Sequence, residues 1–300
     1  MRARRLSWSV VGGGTSGYED CPQDETPVHL VDARRPRLGR VSEADQPPSR
    51  PSVVQDPDDP LGYTMLVSGV PSSYVHLGDP TRLEFEYVRW AGDVIDVMAA
   101  EGEPVHTVHV GGAGCTLARY VAATRPRSRQ IVLDDDPAVI ELARQTFGYS
   151  RRSGFRLREG DGLEGLRPLE SGHFDLVIRD AFAGDTTPAH LTTTEFVGQA
   201  ARVLSADGLY VANIADRPGL GLVRREVATA LTLFSQVALV GETQHLRGRR
   251  YGNVLLLASR RRLPIADLTR RVVSGPVPAR VVPPSDVRQL ASGADPITPP

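Results

Sequence analysis

Between residues 106 and 259, short strand-like runs alternate with longer stretches in which apolar positions recur at helical spacing. The strand-like runs lie at 107–110, 130–133, 155–158, 174–178 and 208–212. The helical stretches between them lie at 117–124, 137–146, 192–204 and 222–233. Strands that alternate with helices form parallel sheets with helices on both faces. The pattern therefore predicts a Rossmann-like α/β domain.

Two further strand-like runs, 236–240 and 253–257, follow with no helical stretch between them. We expect them to pair antiparallel at one edge, which gives a mostly parallel seven-stranded sheet with an antiparallel last strand. A short helix is expected at 265–273, and a proline-rich tail ends the chain.

Ahead of this domain, runs at 63–67 and 73–77 around Ser68-Gly69 predict a small β-unit. Asp79-Pro80 is typical of a helix start, and the helix would continue to about residue 100. Residues 1–60 are rich in proline and glycine, and we expect little regular structure there beyond a strand at 28–31. The expected domains are therefore 1–60 irregular, 61–80 the β-unit, 81–260 the catalytic domain, and 261–300 the C-terminal helix and tail.

Composition excludes several functions. The formal net charge is −1, so no global field favours nucleic acid or an anionic membrane. No apolar run is long enough for a transmembrane helix. The two cysteines and the histidines show no metal-site spacing, so we expect no metal. We predict a cytoplasmic protein with no nucleic-acid or membrane partner.

Glycines or a carboxylate end each of the first four strands of the predicted domain. Gly111, Gly112 and Gly114 would let a ligand approach the backbone at a helix start. Asp134 is placed to accept both hydroxyls of a ribose. Asp161, before Gly162, could accept the amino group of an adenine. Because ligands of open parallel sheets bind at the carboxyl ends of the strands, we predict a nucleoside site.

The fourth strand ends at Asp180, where a transferred group would meet its acceptor. An acidic residue there can hold a cationic substrate or accept its proton, so Asp180 is the candidate catalytic residue. Asp185 and His190 in the following loop, and Tyr74 in the β-unit, are candidate substrate-binding residues.

From about residue 63 to 259, the chain resembles the spermidine synthase family of polyamine aminopropyltransferases, in an actinobacterial-type branch. The resemblance is carried by Ser68-Gly69-Val70-Pro71-Ser72-Ser73, Asp79-Pro80, Leu83-Glu84-Phe85-Glu86-Tyr87, Asp180-Ala181-Phe182, Gly184, Pro188-Ala189-His190-Leu191-Thr192-Thr193 and Glu195-Phe196.

The resemblance implies a methyltransferase-like Rossmann domain that transfers the aminopropyl group of decarboxylated S-adenosylmethionine to a small-molecule amine. It implies ribose binding by Asp134, adenine binding by Asp161 and proton acceptance by Asp180. Three features depart from the family. The acidic pair that precedes the family's Tyr-x-Glu segment has no clear match, since Phe85-Glu86-Tyr87 occupies that segment. Gly114 replaces an aspartate that holds the aminopropyl ammonium, and Ser72 replaces a glutamine.

Three alternatives remain open on the sequence. The absence of an aspartate at Gly114 favours a methyltransferase that uses intact S-adenosylmethionine, whose carboxylate that aspartate would repel. A nucleoside-binding protein without turnover is the second alternative. A nicotinamide dehydrogenase is less favoured, because Leu117 replaces the third glycine of the dinucleotide fingerprint. The acceptor is open, as is a homodimer in which the β-unit supplies the subunit contact.

Overall fold

The computed structural model describes residues 50–112, 114–184, 186–277 and 279–300. The strand expected at 28–31, and nearly all of the region expected to be irregular, lie outside these residues. Over the described residues, the structure confirms the α/β architecture that the sequence predicted: a mostly parallel central sheet with a small antiparallel sheet before it.

The N-terminal sheet has three antiparallel strands in the order β1-β2-β3: β1 (Ser52–Asp56), β2 (Asp59–Val67) and β3 (Val70–His76). Ser68 and Gly69 both have positive φ, 50° and 76°, as a tight hairpin turn between strands requires. Our expectation of little regular structure before residue 61, beyond a strand at 28–31, is wrong for β1 and for the start of β2. Proline does not prevent pairing here, because Pro60 lies where the β1–β2 register shifts.

The first helix, α1 (Glu86–Met98), begins later than Asp79-Pro80 predicted. Asp79 instead closes a turn, since its Oδ1 accepts hydrogen bonds from the N–H and the hydroxyl of Thr81 at 2.9 and 2.6 Å. An aspartate before a proline is equally suited to such a turn, and the chain runs without helix to Phe85.

Eight strands of the described chain form the central sheet, in the order β11-β9-β10-β8-β7-β4-β5-β6. The strands β4 to β8 pair in parallel, and β10 pairs antiparallel with β9, as expected. β10 also pairs antiparallel with β8, so it lies inside the sheet and not at its edge. Their bounds are β4 (Thr107–Gly111), β5 (Gln130–Asp134), β6 (Arg156–Glu159), β7 (Phe174–Asp180), β8 (Leu204–Asp216), β9 (Gln236–Glu242), β10 (Gly252–Ser259) and β11 (Ala279–Val282).

Helices pack against both faces of this sheet and bury two large apolar clusters. They are α2 (Thr116–Thr124), α3 (Pro137–Phe147), α4 (Gly162–Leu166), α5 (Thr194–Val203), α6 (Gly221–Leu231), α7 (Thr243–Leu246), α8 (Ile265–Val273) and α9 (Pro284–Leu290). None of the helices in the described residues combines the length and the apolar character that a membrane crossing requires.

Three details differ from the sequence prediction. An eighth strand, β11, and α9 occupy the tail that was expected to be irregular, because β11 pairs with β9 and Val287 of α9 is buried. The short helix α4 was not predicted. The cap of α5 is Thr193 rather than Thr192, since the Thr193 hydroxyl accepts from the Phe196 N–H; Thr192 ends a preceding 3₁₀ turn (Ala189–Thr192).

Candidate active site

A cleft of about 510 Å³ opens at the carboxyl ends of the parallel strands, where the sequence predicted the site. Its lining includes the ends of β4, β5, β7 and β8, the loop after β6, and residues 65–73 of the N-terminal sheet. A cleft of this size can hold a nucleoside together with a small second substrate. The cleft brings together Gly111, Gly112, Gly114, Asp134, Asp161, Gly162 and Asp180.

The glycine loop brings two strand ends into close contact. Gly111 and Gly112 have φ of 82° and 78°, which side-chain-bearing residues rarely adopt. A Cβ atom at Gly111 would overlap the carbonyl group of Asp180. A Cβ at Gly114 would overlap the side chain of Ser73 in β3. The loop is therefore closed by the N-terminal sheet on one side and by the end of β7 on the other.

Asp134 ends β5 and is partly exposed to the cleft. Its Oδ1 accepts a hydrogen bond from the Asp136 N–H at 3.1 Å, which fixes the carboxylate beside the glycine loop. Asp136 caps α3 through its own side chain, as its position before Pro137 suggests. Asp136 therefore serves the helix, and Asp134 is the carboxylate at the position predicted for ribose.

Asp161 caps α4 while it lines the cleft. Its Oδ1 accepts from the N–H groups of Leu163 and Glu164, at 2.9 and 3.0 Å. Its Oδ2 lies 2.5 Å from Nε2 of His190. Burial opposes ionisation, but the Glu164 N–H and His190 hold the pKa of Asp161 below its ordinary value. His190 itself is not among the residues that line the cleft, and its ring contacts Asp161 rather than the end of β7.

Asp180 ends β7 and forms a hydrogen-bonded group with Tyr87 of α1 and Asn213 of β8. The Asn213 Nδ2 donates to Asp180 Oδ1 at 3.0 Å, and the Tyr87 hydroxyl bonds to the same carboxylate. Burial raises the pKa of Asp180 to about 6, although Asn213, Arg179 and Tyr87 each stabilise the charged form. Burial next to that carboxylate also raises the pKa of Tyr87 well above its ordinary value. The Asp180 carboxylate therefore binds a proton more readily than an ordinary aspartate does.

Asn213 is a site residue that the sequence interpretation missed. It is 2% exposed, and its Oδ1 has no hydrogen-bond partner within the described part of the chain. A buried acceptor without a partner costs about 1–3 kcal/mol unless a ligand satisfies it. Tyr251 and Asn253, at the start of β10, also line the cleft and were not predicted. The side chain of Asn253 donates to Glu86 Oε1 at 3.4 Å.

The structure does not place Tyr74 in the cleft, contrary to its predicted substrate role. Alternation along β3 turns Ser73 toward the glycine loop and Tyr74 to the other face. There the Tyr74 hydroxyl donates to Asp56 at 3.1 Å, and the Arg82 guanidinium lies 5.4 Å from its ring centre. Asp185 lies outside the described residues, so its predicted substrate role stays a prediction.

None of the described residues that line the cleft is a histidine. His109 lies beneath the glycine loop with its Nε2 at 3.0 Å from Gln130 Oε1, and burial lowers its pKa to about 4. Across residues 50–300, apart from the three undescribed positions 113, 185 and 278, no group of three or more potential ligands could hold a metal ion.

A solved structure, "a probable spermidine synthase from Corynebacterium glutamicum", is similar to this chain at 34% identity and a TM-score of 0.78. The similarity covers 83% of this chain and 93% of that one. No family model matches the chain.

Curated relatives of two kinds are similar over shorter spans. A polyamine aminopropyltransferase of Neisseria meningitidis is 26% identical over 64% of this chain and 70% of that protein. One of Vibrio vulnificus is 28% identical over 44% of each chain. An eEF1A lysine and N-terminal methyltransferase of Danio rerio is 29% identical over 41% of this chain, but over only 19% of that protein.

Proposed function

The chain belongs to the spermidine synthase family, and from that membership we propose that it transfers the aminopropyl group of decarboxylated S-adenosylmethionine to a small amine. The nucleoside would occupy the half of the cleft between the glycine loop, Asp134 and Asp161. The amine would occupy the other half, beside Asp180.

The observation that carries this proposal is the group formed by Asp180, Tyr87 and Asn213. An amine nucleophile reaches the enzyme as an ammonium ion and must lose a proton before it can attack. A carboxylate with a pKa of about 6 is a stronger base than an ordinary aspartate and is still ionised at neutral pH. Asn213 Oδ1, which is buried beside that carboxylate, is an acceptor for a second N–H of the same amine.

The reaction is a displacement at carbon. The amine nitrogen forms a bond to the aminopropyl methylene next to the sulfonium, the carbon–sulfur bond breaks, and its electron pair stays on sulfur in methylthioadenosine. The proton of the amine passes to Asp180. Because a sulfonium is already a good leaving group, the protein contributes mainly orientation and deprotonation.

The contact between Gly114 and Ser73 favours a second candidate, a methyltransferase that uses intact S-adenosylmethionine. A carboxylate side chain at residue 114 would hold the aminopropyl ammonium, but Ser73 occupies the space of its Cβ. A neutral loop there does not repel the carboxylate of the intact co-substrate.

Calorimetry with methylthioadenosine and with the decarboxylated and intact co-substrates distinguishes the two candidates, when combined with product analysis for a panel of mono-, di- and polyamines. We expect tighter binding of the decarboxylated form and formation of aminopropylated amine. Preference for the intact form, with methylated product, would replace the first candidate by the second. Binding without any product would leave a nucleoside-binding protein.

We further propose a cytoplasmic homodimer whose contact includes the N-terminal sheet. Three apolar side chains of that sheet are exposed to solvent: Val54 by 51%, Leu61 by 46% and Val70 by 45%. Several exposed apolar side chains on one small sheet are typical of a surface that contacts another protein. Light scattering of the full chain and of a Val54→Lys/Val70→Lys variant measures this directly. A monomer for the unsubstituted chain would end the proposal.

A further inference from the structure

The residue before Asp180 is a fully buried arginine that the proposed reaction does not use. Arg179 has no exposed surface, and it forms an ion pair with Glu226 of α6, which is 3% exposed. Its Nη1 lies 2.9 Å from Glu226 Oε2, and its Nη2 donates to Glu226 Oε1 at 3.1 Å. A buried ion pair is weak evidence for stability, because desolvation offsets most of the attraction. Stability alone therefore does not explain why an ion pair is buried beneath the site.

The same guanidinium contacts two segments that build the cleft. Its Nη1 donates to the carbonyl of Leu191 at 3.0 Å, and its Nη2 donates to the carbonyl of Asn213 at 3.2 Å. Leu191 belongs to the 3₁₀ turn that ends the loop after β7, and both residues line the cleft. Asn213 in turn donates to Asp180. Arg179 thus joins β7, β8, α6 and the loop at one point.

We infer that Arg179 and Glu226 form a positioning pair, which holds Asn213 and the loop after β7 in the places that the acceptor amine requires. Glu226 orients the planar guanidinium by a two-point contact, and the guanidinium fixes two backbone carbonyls. This inference rests on the proposed function for its kinetic consequences, but the geometry of the loop can be tested without turnover.

A second buried arginine supplies a matched control. Arg125 is 1% exposed, and its Nη2 donates to Asp96 Oδ1 at 2.8 Å and to the carbonyls of Ala99 and Ile95 at 2.9 and 3.4 Å. It therefore makes the same kind of contacts as Arg179, one carboxylate and two carbonyls. Arg125 and Asp96 do not line the cleft, and Asp96 lies in the last turn of α1, at the opposite end from Tyr87.

The decisive comparison uses the double variant Arg179→Met/Glu226→Met, which removes both buried charges and replaces them with apolar side chains. Such replacements are often neutral or stabilising in other proteins, so this variant is expected to retain more stability than either single variant, which leaves one buried charge unpaired. We expect kcat to fall about 10²-fold, the loss that a misplaced catalytic group produces, while methylthioadenosine affinity is unchanged. The control Arg125→Met/Asp96→Met should alter melting temperature and leave kcat alone.

The pH profile separates positioning from a general loss of stability. The titratable groups that face the pair are the carboxyls of Asp180 and Asp216 and the neutral hydroxyl of Tyr210. Tyr87 and Asn213 face Asp180 from the other elements. Loss of the Arg179 charge in Arg179→Met should move the acid limb of kcat to higher pH. Glu226→Gln keeps that charge without its partner and should move the limb to lower pH. A purely structural pair would not shift the limb in opposite directions.

Amide hydrogen exchange at residues 189–194 completes the test without any substrate. We expect faster exchange there in the Arg179→Met/Glu226→Met variant and no change in the Arg125 control. Unchanged exchange and kcat in a folded double variant would overturn the inference. If the unsubstituted chain transferred no group to any amine, the proposed function would fail, while the exchange result would still decide whether the pair positions the loop.

Discussion

The nucleoside half and the amine half of the cleft are built in different ways. In the nucleoside half, Asp134 and Asp161 each lie at the start of a loop and accept backbone N–H groups of the next few residues. In the amine half, Tyr87, Asp180 and Asn213 come from α1, β7 and β8, which are distant in the sequence. The first half is held by local contacts, whereas the second depends on the packing of the whole domain.

This difference teaches which half tolerates change. A local cap survives small shifts of neighbouring elements, because donor and acceptor move together. A group assembled from three elements is lost when any of them moves, and a misplacement of about 1 Å can cost about 10²-fold in rate. We therefore expect substitutions in the amine half to affect turnover and those in the nucleoside half to affect affinity.

Asp180→Asn should produce the largest effect. It removes the base but keeps the shape of the side chain, so transfer should fall by about 10²–10⁴-fold. Calorimetry should show the affinity for methylthioadenosine unchanged, since the nucleoside half is untouched. Asp175→Asn in the same strand is the control, because Asp175 accepts from the His106 N–H far from the cleft. Normal turnover in Asp180→Asn would remove its role as base.

Asp134→Asn should have the next largest effect, on binding rather than on turnover at saturation. Loss of a charged acceptor for two ribose hydroxyls is worth about 1.5–3 kcal/mol, or about 10- to 100-fold in affinity. Asp207→Asn is the control, since Asp207 is exposed and does not line the cleft. Equal losses in the two variants would contradict a specific contact between ribose and Asp134.

The double variant Ser73→Gly/Gly114→Asp tests which co-substrate is preferred, at the boundary between the two halves of the cleft. Ser73→Gly removes the side chain that a Cβ at residue 114 would meet, and Gly114→Asp adds a carboxylate for the aminopropyl ammonium. We expect about a tenfold gain in preference for the decarboxylated co-substrate over the intact one. Ser73→Gly alone is the control. A gain for the intact form would place the amino-acid end elsewhere.

Tyr87→Phe should have the smallest effect, confined to the pH profile. The Tyr87 hydroxyl stabilises the charged form of Asp180, whose pKa is about 6. Its loss raises that pKa further, so the acid limb of the rate should move up by about 0.5–1 pH unit. Because Asp180 is needed as a carboxylate, activity is lost as the pH falls through the limb. A downward shift would show that the hydroxyl does not bond to Asp180 during turnover.

The sequence placed the residues of the proposed nucleoside half in the cleft better than those of the proposed amine half, for the same structural reason. The glycine loop, Asp134, Asp161 and Asp180 follow directly after strands, so a local pattern is enough to place them on one edge. Asn213 and Asn253 enter the cleft through the antiparallel pairing of β8 with β10, in a register that aligns Asn253 with Ala215. No local pattern gives that register.

The errors at Tyr74 and Asp79 also follow from limits of local patterns. Successive residues of a strand face opposite sides, and the local sequence does not show which of the two faces the cleft. Here it is Ser73. An aspartate before a proline can cap a helix or close a turn, and the dipeptide alone does not show which of the two forms. At Asp79 the local bonds to Thr81 are those of a turn.

Both outer strands of the central sheet, β6 and β11, have only four residues. In β6, Arg156, Arg158 and Glu159 are exposed, and Arg144 of α3 donates to the carbonyl of Leu157 at 3.0 Å. Edge strands that are short, that carry charged side chains and that have a backbone carbonyl already hydrogen-bonded pair poorly with a strand from another molecule. The wide sheet that supports the cleft is thereby protected from growing into a fibre.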